Sequence, residues 1–153
     1  MTINEKQTEI IGELTKAYFM ELETVMNYIA NSVHLDGVRA EEIKKSLAAD
    51  VAEEVGHAQQ LADRIKTIGG KLPGSLQFKP VQESLQPPAN TTDLVAVIKG
   101  VIDAENAACE QYSKIIQLCD GIDYVTQDMC ITLLADEEQH RREFRGFLME
   151  YEN

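Results

Sequence analysis

The sequence has 153 residues, a formal net charge of −12 at neutral pH and 44% hydrophobic residues, with no tryptophan. A chain of this length can bury a core of its own, so we expect one domain over residues 1–153. The acidic charge argues against a nucleic-acid-binding protein, because phosphate contacts need clustered lysine and arginine. It suits a protein that attracts cations.

Membrane and secretion signals are not found in the sequence. It contains no apolar run of about 18 residues, the length that a transmembrane helix needs. Residues 1–6 lack the basic and then apolar segments of a signal peptide, which favours a cytoplasmic location. The three cysteines form no Cys-x-x-Cys motif, so a secreted disulfide framework is not expected.

The hydrophobic pattern predicts an all-α chain whose first two long helices precede residue 70. A capping box, Thr2-x-x-Glu5, opens helix 1, and Gly37 ends it. Its predicted inward stripe, with steps of three and four residues, is Leu14, Tyr18, Glu21, Val25, Tyr28 and Ser32. Helix 2 is predicted over residues 39–68. Its stripe is Ile43, Leu47, Asp50, Glu54, His57, Leu61, Ile65 and Ile68.

A long connection, residues 69–91, separates the two halves of the chain. At roughly 3.3 Å per extended residue it can return along the bundle, so helices 2 and 3 should be parallel. Helix 3 is predicted from an N-cap cluster at residues 91–93 to the turn at Gly121, and helix 4 from about residue 122 towards 150. The helix 3 stripe is Leu94, Ile98, Val101, Glu105, Ala108, Tyr112, Ile115 and Cys119. The helix 4 stripe is Cys130, Leu133, Glu137, His140, Phe144, Phe147 and Tyr151.

Charged residues interrupt these stripes at corresponding positions of the two helix pairs. Helices 2 and 4 each carry Glu-x-x-His, which places a carboxylate and an imidazole on one face. Glu54 follows Glu21 by 33 positions, and Glu137 follows Glu105 by 32. Two similar hairpins that face each other would bring together Glu21, Glu54, His57, Glu105, Glu137 and His140.

The six inward groups have the chemistry of a metal site. Four carboxylates bring a charge of −4, which two divalent cations would balance, and unpaired buried charges cost several kcal/mol. Carboxylates with one imidazole per ion suit iron or manganese better than zinc or calcium. Glu54 and Glu137 are expected to bridge the ions. This pattern matches the ligand set described for di-iron carboxylate bundles, which can pass two electrons to O₂ or peroxide.

Neighbouring residues suggest roles around this site. Glu53 and Asp136 each either accept the outer N–H of the histidine on the opposite hairpin or are solvated acids. Tyr28 and Tyr112 each lie two turns past a ligand glutamate. They are either core residues whose hydroxyl has a buried partner or redox-active groups. His34 lies at a helix end, outside the set.

The cysteines allow two interpretations. Cys109 and Cys130 lie nearly level on antiparallel helices, which makes a disulfide or redox pair a hypothesis. The alternative is that each is a small buried apolar residue, as expected for Cys119 near the turn.

These motifs resemble the ferritin-like superfamily, and bacterioferritin most closely. The resemblance is carried by residues 21–28, by the two Glu-x-x-His motifs and by residues 134–140. It implies a ferritin-like four-helix bundle with a long crossover between helices 2 and 3. It also implies a ferroxidase, with Fe(II) oxidised by O₂ or hydrogen peroxide at two iron ions held by the six residues, and iron stored in a hollow homo-oligomer.

Two departures from bacterioferritin refine this expectation. Val55 occupies the position of the haem-ligating methionine, so haem is not expected. The sequence ends 13 residues after His140, without the short fifth helix. That length, with Cys109 and Cys130, is similar to the Dps-like thioferritins, which assemble as dodecamers. We therefore expect a dodecamer rather than a 24-mer.

Two other functions remain open from the sequence. One is a non-storage di-iron peroxidase or oxidase of rubrerythrin type, although the Cys-x-x-Cys module common in that group is missing. The other is a non-catalytic four-helix interaction protein that binds no stoichiometric metal.

Overall fold

The computed structural model describes residues 2–152, and these residues form four long helices without a strand. The helices are α1 (Ile3–His34), α2 (Glu41–Thr67), α3 (Leu94–Cys119) and α4 (Tyr124–Leu148). The predicted all-α four-helix bundle is confirmed. Met1 and Asn153, the ends of the predicted domain, lie outside the described residues. Among the described helices, none is both long and apolar enough to cross a membrane.

Local signals set the helix ends. The Thr2 hydroxyl accepts the Glu5 N–H at 3.1 Å, and the Glu5 carboxylate accepts the Thr2 N–H at 2.6 Å, which forms the predicted capping box. Gly37 and Gly121 follow α1 and α3 with φ of 98° and 72°, a conformation that favours glycine. Helix α2 begins two residues later than predicted, because Val38–Ala40 forms a 3₁₀ turn.

The crossover runs the length of α1. Near its start, the Ile68 carbonyl accepts a hydrogen bond from Gln7 at the beginning of α1. At its end, the Thr91 carbonyl accepts the N–H of Asp36, just past the end of α1. Since α1 and α2 form one packed pair and α3 and α4 another, α3 starts at the same end of the bundle as α2. The predicted parallel arrangement of α2 and α3 is therefore confirmed.

The core consists of two apolar clusters separated along the bundle axis. One contains Tyr28, Leu35, Ile43, Leu47, Ile98, Val101 and Phe144. The other contains Ile10, Leu14, Leu61, Ile65, Tyr112, Ile115, Cys130 and Leu133. On every helix, the charged residues predicted to face inward lie between members of these two clusters. The clusters thus close both ends of a polar layer.

The predicted stripes of α2 and α4 need correction only at their ends, where Ile68, Phe147 and Tyr151 are partly buried, whereas that of α1 needs correction along its length. Three predicted inward residues are only partly buried: Tyr18, Val25 and Ser32. Four polar residues are buried instead: Glu23, Thr24, Asn27 and Asn31. The crossover covers this second face, where Glu23 accepts the N–H groups of Val81 and Gln82 at 2.8 Å each. Asn31 donates to the Leu85 carbonyl at 3.0 Å. These hydrogen bonds satisfy polar groups that the helical period alone would place outside.

Candidate metal centre

Six side chains from all four helices meet between the two apolar clusters. They are Glu21, Glu54, His57, Glu105, Glu137 and His140, and none is more than 4% exposed. The i, i+3 spacing on α2 and α4 aims each glutamate–histidine pair inward, and α1 and α3 each add one glutamate. The structure therefore brings together all six residues predicted from the sequence.

These side chains form two overlapping groups of potential ligands. The first group consists of Glu21, Glu54, His57 and Glu137. The second consists of Glu54, Glu105, Glu137 and His140. Within each group, one ligand atom from every residue lies within 4.8 Å of the others. Glu54 and Glu137 belong to both groups, as expected of carboxylates that could bridge two ions.

Each histidine turns Nδ1 towards the centre and contacts a shared carboxylate of the opposite hairpin. His57 Nδ1 lies 2.9 Å from Glu137 Oε1, and His140 Nδ1 lies 3.1 Å from Glu54 Oε1. Because the partners come from α2 and α4 in both cases, the two hairpins are joined through these contacts.

The outer nitrogen of each ring is held by an acid of the other hairpin. His57 Nε2 donates to Asp136 Oδ2 at 3.0 Å, and His140 Nε2 donates to Glu53 Oε2 at 2.8 Å. The predicted hydrogen bonds of Glu53 and Asp136 are thus present. They orient the rings and leave Nδ1 available to the centre.

Two buried tyrosines link the remaining glutamates across the hairpins. Tyr28 donates its hydroxyl to Glu105, and Tyr112 donates to Glu21 Oε1 at 2.8 Å. Burial, followed by the charge of the contacted glutamate, raises the pKa of both tyrosines well above the usual value. Both therefore remain protonated donors, as expected for a core tyrosine with a hydroxyl partner.

The four carboxyl groups divide into two protonation classes. Burial and the charges of Glu54 and Glu137 raise the pKa of Glu21 and of Glu105 well above the usual value. Burial alone would also raise the pKa of Glu54 and Glu137, but contacts with the neighbouring carboxyl groups and both imidazoles lower it. The shared glutamates therefore favour the ionised form and the other two favour the protonated form.

The histidines are positively charged in this environment. Burial alone would lower the pKa of His57 and His140, but the contacting carboxylates, Glu137 first, raise it, for His140 to about 12. Two imidazolium rings thus balance the two ionised glutamates. These opposite charges lower the cost of placing the six groups in an apolar core.

The donor set also fits metal ions. The 3.1 Å approach of His140 Nδ1 to Glu54 Oε1 is an ion-pair distance but not a hydrogen bond. Four buried ligand atoms therefore lack a hydrogen-bond partner: Glu21 Oε2, Glu54 Oε1, Glu105 Oε2 and His140 Nδ1. Unpartnered buried polar atoms are costly, and all four are ligand atoms that divalent iron or manganese accepts. The residues therefore fit such ions.

Asp50 is a neighbour of the centre that sequence reasoning did not select. It is 8% exposed, and its Oδ1 lies 3.7 Å from His140 Nε2. Burial raises the pKa of Asp50 to about 7. Asp50 lies on the predicted inward stripe of α2, one turn before Glu54, and this position alone could have indicated that it is close to the centre.

The hypothesised disulfide between Cys109 and Cys130 is not formed, and the alternative, a small buried residue at each position, agrees with the structure. All three cysteines are free. Cys109 lines a surface cavity of about 460 Å³ together with Leu134, whereas Cys130 lies in the apolar cluster that contains Cys119. Two residues at the same height on neighbouring helices can still lie on helix faces that point away from each other. His34, as expected, lies outside the centre, with Nε2 3.2 Å from the Pro88 carbonyl.

The fold and its central layer define a four-helix bundle with a buried carboxylate–histidine centre. The sequence profile of the Ferritin-like domain matches residues 11–153, so the chain belongs to the ferritin-like family. The resemblance drawn from the sequence motifs is confirmed.

Relatives of known identity come from more than one branch of this family. The chain is 27% identical over 137 residues to a bacterioferritin of Desulfovibrio desulfuricans, covering 89% of this chain and 72% of that protein. It is also 27% identical over 144 residues to a DNA protection during starvation protein of Pyrococcus furiosus, covering 92% and 77%. A dodecameric thioferritin of Bacteroides fragilis has the same fold, with a TM-score of 0.84 at 22% identity, covering 97% of this chain and 90% of that chain.

Proposed function

We propose that the protein is a ferroxidase that oxidises Fe(II) with O₂ or hydrogen peroxide at an intrasubunit di-iron centre. The observation that carries this proposal is the pair of ligand groups that share Glu54 and Glu137. The proposed ligands are Glu21, Glu54, His57, Glu105, Glu137 and His140, and manganese is an alternative to iron. The chain is proposed to act as one ferritin-like domain over residues 1–153, in the cytoplasm.

The chain's own residues orient the metal ligands for this reaction. When bound, the iron ions supply the electrons that reduce the oxidant. Glu53 and Asp136 hold the outer N–H of the two histidines, so that Nδ1 faces the ion. Tyr28 and Tyr112 each hold one oxygen of a terminal glutamate and leave the other for the metal. The apolar clusters on both sides exclude bulk water from the layer.

Storage of ferric iron in a hollow homo-oligomer is the second part of the proposal. A dodecamer is favoured over a 24-mer, because the chain shares its fold with a dodecameric thioferritin over nearly its whole length. Helix α1 also presents apolar side chains that the chain itself leaves uncovered, among them Met26 at 61% and Val33 at 76% exposure. Such side chains are typical of a surface that a second subunit covers.

The test is native mass and metal content on the same sample after anaerobic Fe(II) loading. We expect a cage-sized assembly with about two tightly bound ions per chain before mineral growth, as the two overlapping ligand groups require. Glu54→Ala should lose bound iron and Fe(II) oxidation, whereas Glu42→Ala, on the exposed face of α2, should retain both.

Other outcomes of that measurement discriminate between functions. A dimer with two iron ions per chain would support a rubrerythrin-type peroxidase without storage. Haem is not part of the proposal, because Val55, which stands where bacterioferritin has its haem-ligating methionine, has no ligand atom. Every di-iron function would be contradicted if the protein bound no iron and if Glu54→Ala changed neither its metal content nor its native mass.

A further inference from the structure

A hydrogen bond joins α3 to α4 directly beside two of the proposed ligands. Arg141 Nη1 donates to Asn106 Oδ1 at 3.1 Å, across 35 positions of the sequence. Asn106 is the residue after Glu105, and Arg141 is the residue after His140. Both of these ligands belong to the second ligand group, and neither belongs to the first. The bond therefore connects the two helices at the level where the second group takes one ligand from each.

The surroundings of this hydrogen bond distinguish it from an exposed surface contact. The Arg141 side chain is only 22% exposed, and its Nη2 lies 3.9 Å from Glu138, one turn earlier on α4. Asn106 is also partly buried. A hydrogen bond from a charged donor is stronger than one between neutral groups, and partial shielding from water preserves its strength. Because a hydrogen bond is directional, it restricts both the separation and the rotation of α3 and α4 at this level.

The other hairpin lacks such a bond at the corresponding positions. There, the residues that follow the ligands Glu21 and His57 are Leu22 and Ala58. Their side chains can neither donate nor accept a hydrogen bond. Apolar contacts are not directional, so they restrict the relative rotation of two helices less than a hydrogen bond does. The two ligand groups share two glutamates but differ in how firmly their own pair of ligands is held.

We propose that Asn106 and Arg141 are positioning residues, whose hydrogen bond holds Glu105 and His140 in fixed relative positions for the second metal ion. The inference rests on the proposed function, because that function supplies the ion. Neither side chain is one of the six proposed ligands, so the two residues act through the helices that carry the ligands. Ligands that are already in place need not be ordered when the ion binds, which raises the affinity. Loss of the bond should therefore weaken the second group and not the first.

The test measures the affinity for Zn(II), which has no redox chemistry, by calorimetric titration of one ligand group at a time. Glu21→Ala removes a ligand found only in the first group and leaves the second group complete, whereas Glu105→Ala leaves the first group complete. Adding Asn106→Ala to Glu21→Ala should weaken Zn(II) binding by roughly three- to tenfold, the effect of losing one hydrogen bond. Adding it to Glu105→Ala should leave the affinity unchanged.

A second comparison separates the hydrogen bond from the charge of Arg141. Loss of a nearby positive charge would by itself strengthen cation binding, so Arg141→Ala alone combines two effects. When Glu21→Ala and Arg141→Ala are both present, the bond is already absent, and adding Asn106→Ala should change the affinity no further. The matched control is Gln127→Ala, which removes another hydrogen bond from α4 to α3, to the Ile116 carbonyl at 3.0 Å, nearer the turn between the helices. It should leave the affinity of both groups unchanged.

A variant that keeps all six ligands gives an independent measurement if a ligand substitution prevents folding. Crystals of Asn106→Ala soaked with limiting Zn(II) should show, by anomalous scattering, a lower occupancy of the second group relative to the first than crystals of the unsubstituted protein. Equal weakening of both groups, or no change in either, would overturn the positioning role and leave the proposed function intact. A protein that binds no Zn(II) in any of these forms would contradict both.

Discussion

At the scale of single residues, the charges of the centre are balanced by protons. Each histidine contacts carboxylates through both ring nitrogens, and the contacts of Nδ1 with Glu137 and Glu54 cross between the hairpins. The raised pKa values of both rings make them imidazolium ions at neutral pH. Metal ions must therefore displace protons from groups that hold them firmly.

We predict that loading with divalent ions releases protons from the centre. The pKa values of both histidines, Glu21 and Glu105 are raised, so lowering the pH favours the proton over the metal at each of these ligands. Metal affinity should therefore increase with pH. Calorimetric titration with Zn(II) in two buffers of different ionisation enthalpy measures the protons, and a buffer-independent heat would contradict the prediction.

Removing one tyrosine hydroxyl should destabilise the fold even without metal. Tyr112→Phe deletes the donor to Glu21 Oε1 and leaves a second buried oxygen of that carboxyl group unpaired. The expected loss in the free energy of unfolding is about 1–3 kcal/mol, measured by urea denaturation of metal-free protein. Tyr124→Phe, at a ring that is 67% exposed, is the control and should change little. Equal stability of the two variants would show that the Glu21 contact is unimportant.

At the scale of elements, the crossover packs against α1 and α3 and is held by contacts with both helices. Glu23 accepts backbone N–H groups of Val81 and Gln82 from a nearly buried position. Helix α3 admits the crossover backbone at Gly100, where a Cβ atom would lie 2.5 Å from the Ser84 carbonyl oxygen. The glycine inside α3 is therefore required by close approach, despite its low helix propensity.

Two glycine substitutions should have effects of opposite sign. Gly100→Ala must displace the crossover backbone and should destabilise by about 1–3 kcal/mol, the usual cost of overpacking. Gly12→Ala, inside α1 with no atom within 4 Å of the new Cβ, should stabilise by roughly 0.5–1 kcal/mol through helix propensity. Thermal and urea unfolding of both variants check this, and stabilisation by Gly100→Ala would rule out the close approach.

At the scale of the whole molecule, the exposed surface of α1 is where we expect subunits to contact each other. Met26, Ile29 and Val33 recur at helical spacing and are 48–76% exposed. A continuous apolar stripe of this kind on an otherwise acidic chain favours burial against another subunit.

Charges on this stripe should dissociate the oligomer. Met26→Lys combined with Val33→Lys should lower the native mass to that of smaller species, because buried lysines without partners oppose association. Helix content by circular dichroism should stay unchanged, since both side chains are exposed within the single chain. An unaltered native mass would show that α1 does not form the contact.

Local patterns in the sequence were sufficient for the helices and for the six inward residues. Capping residues and apolar periods depend on neighbours along the chain, so the helix ends and the stripes of α2, α3 and α4 were predicted closely. The six groups were found because Glu-x-x-His and its offset from a preceding glutamate repeat in both halves. Each of these features is encoded within one helix or one hairpin.

Only the tertiary structure decided which further groups belong near the centre. The buried polar face of α1 depends on the path of the crossover, and the separation of Cys109 from Cys130 depends on the rotation of α3 against α4. The contact of Asp50 with His140 joins α2 to α4, which are far apart in sequence. Such contacts are set by how helices rotate and pack against one another, and a period read along one helix does not contain that information.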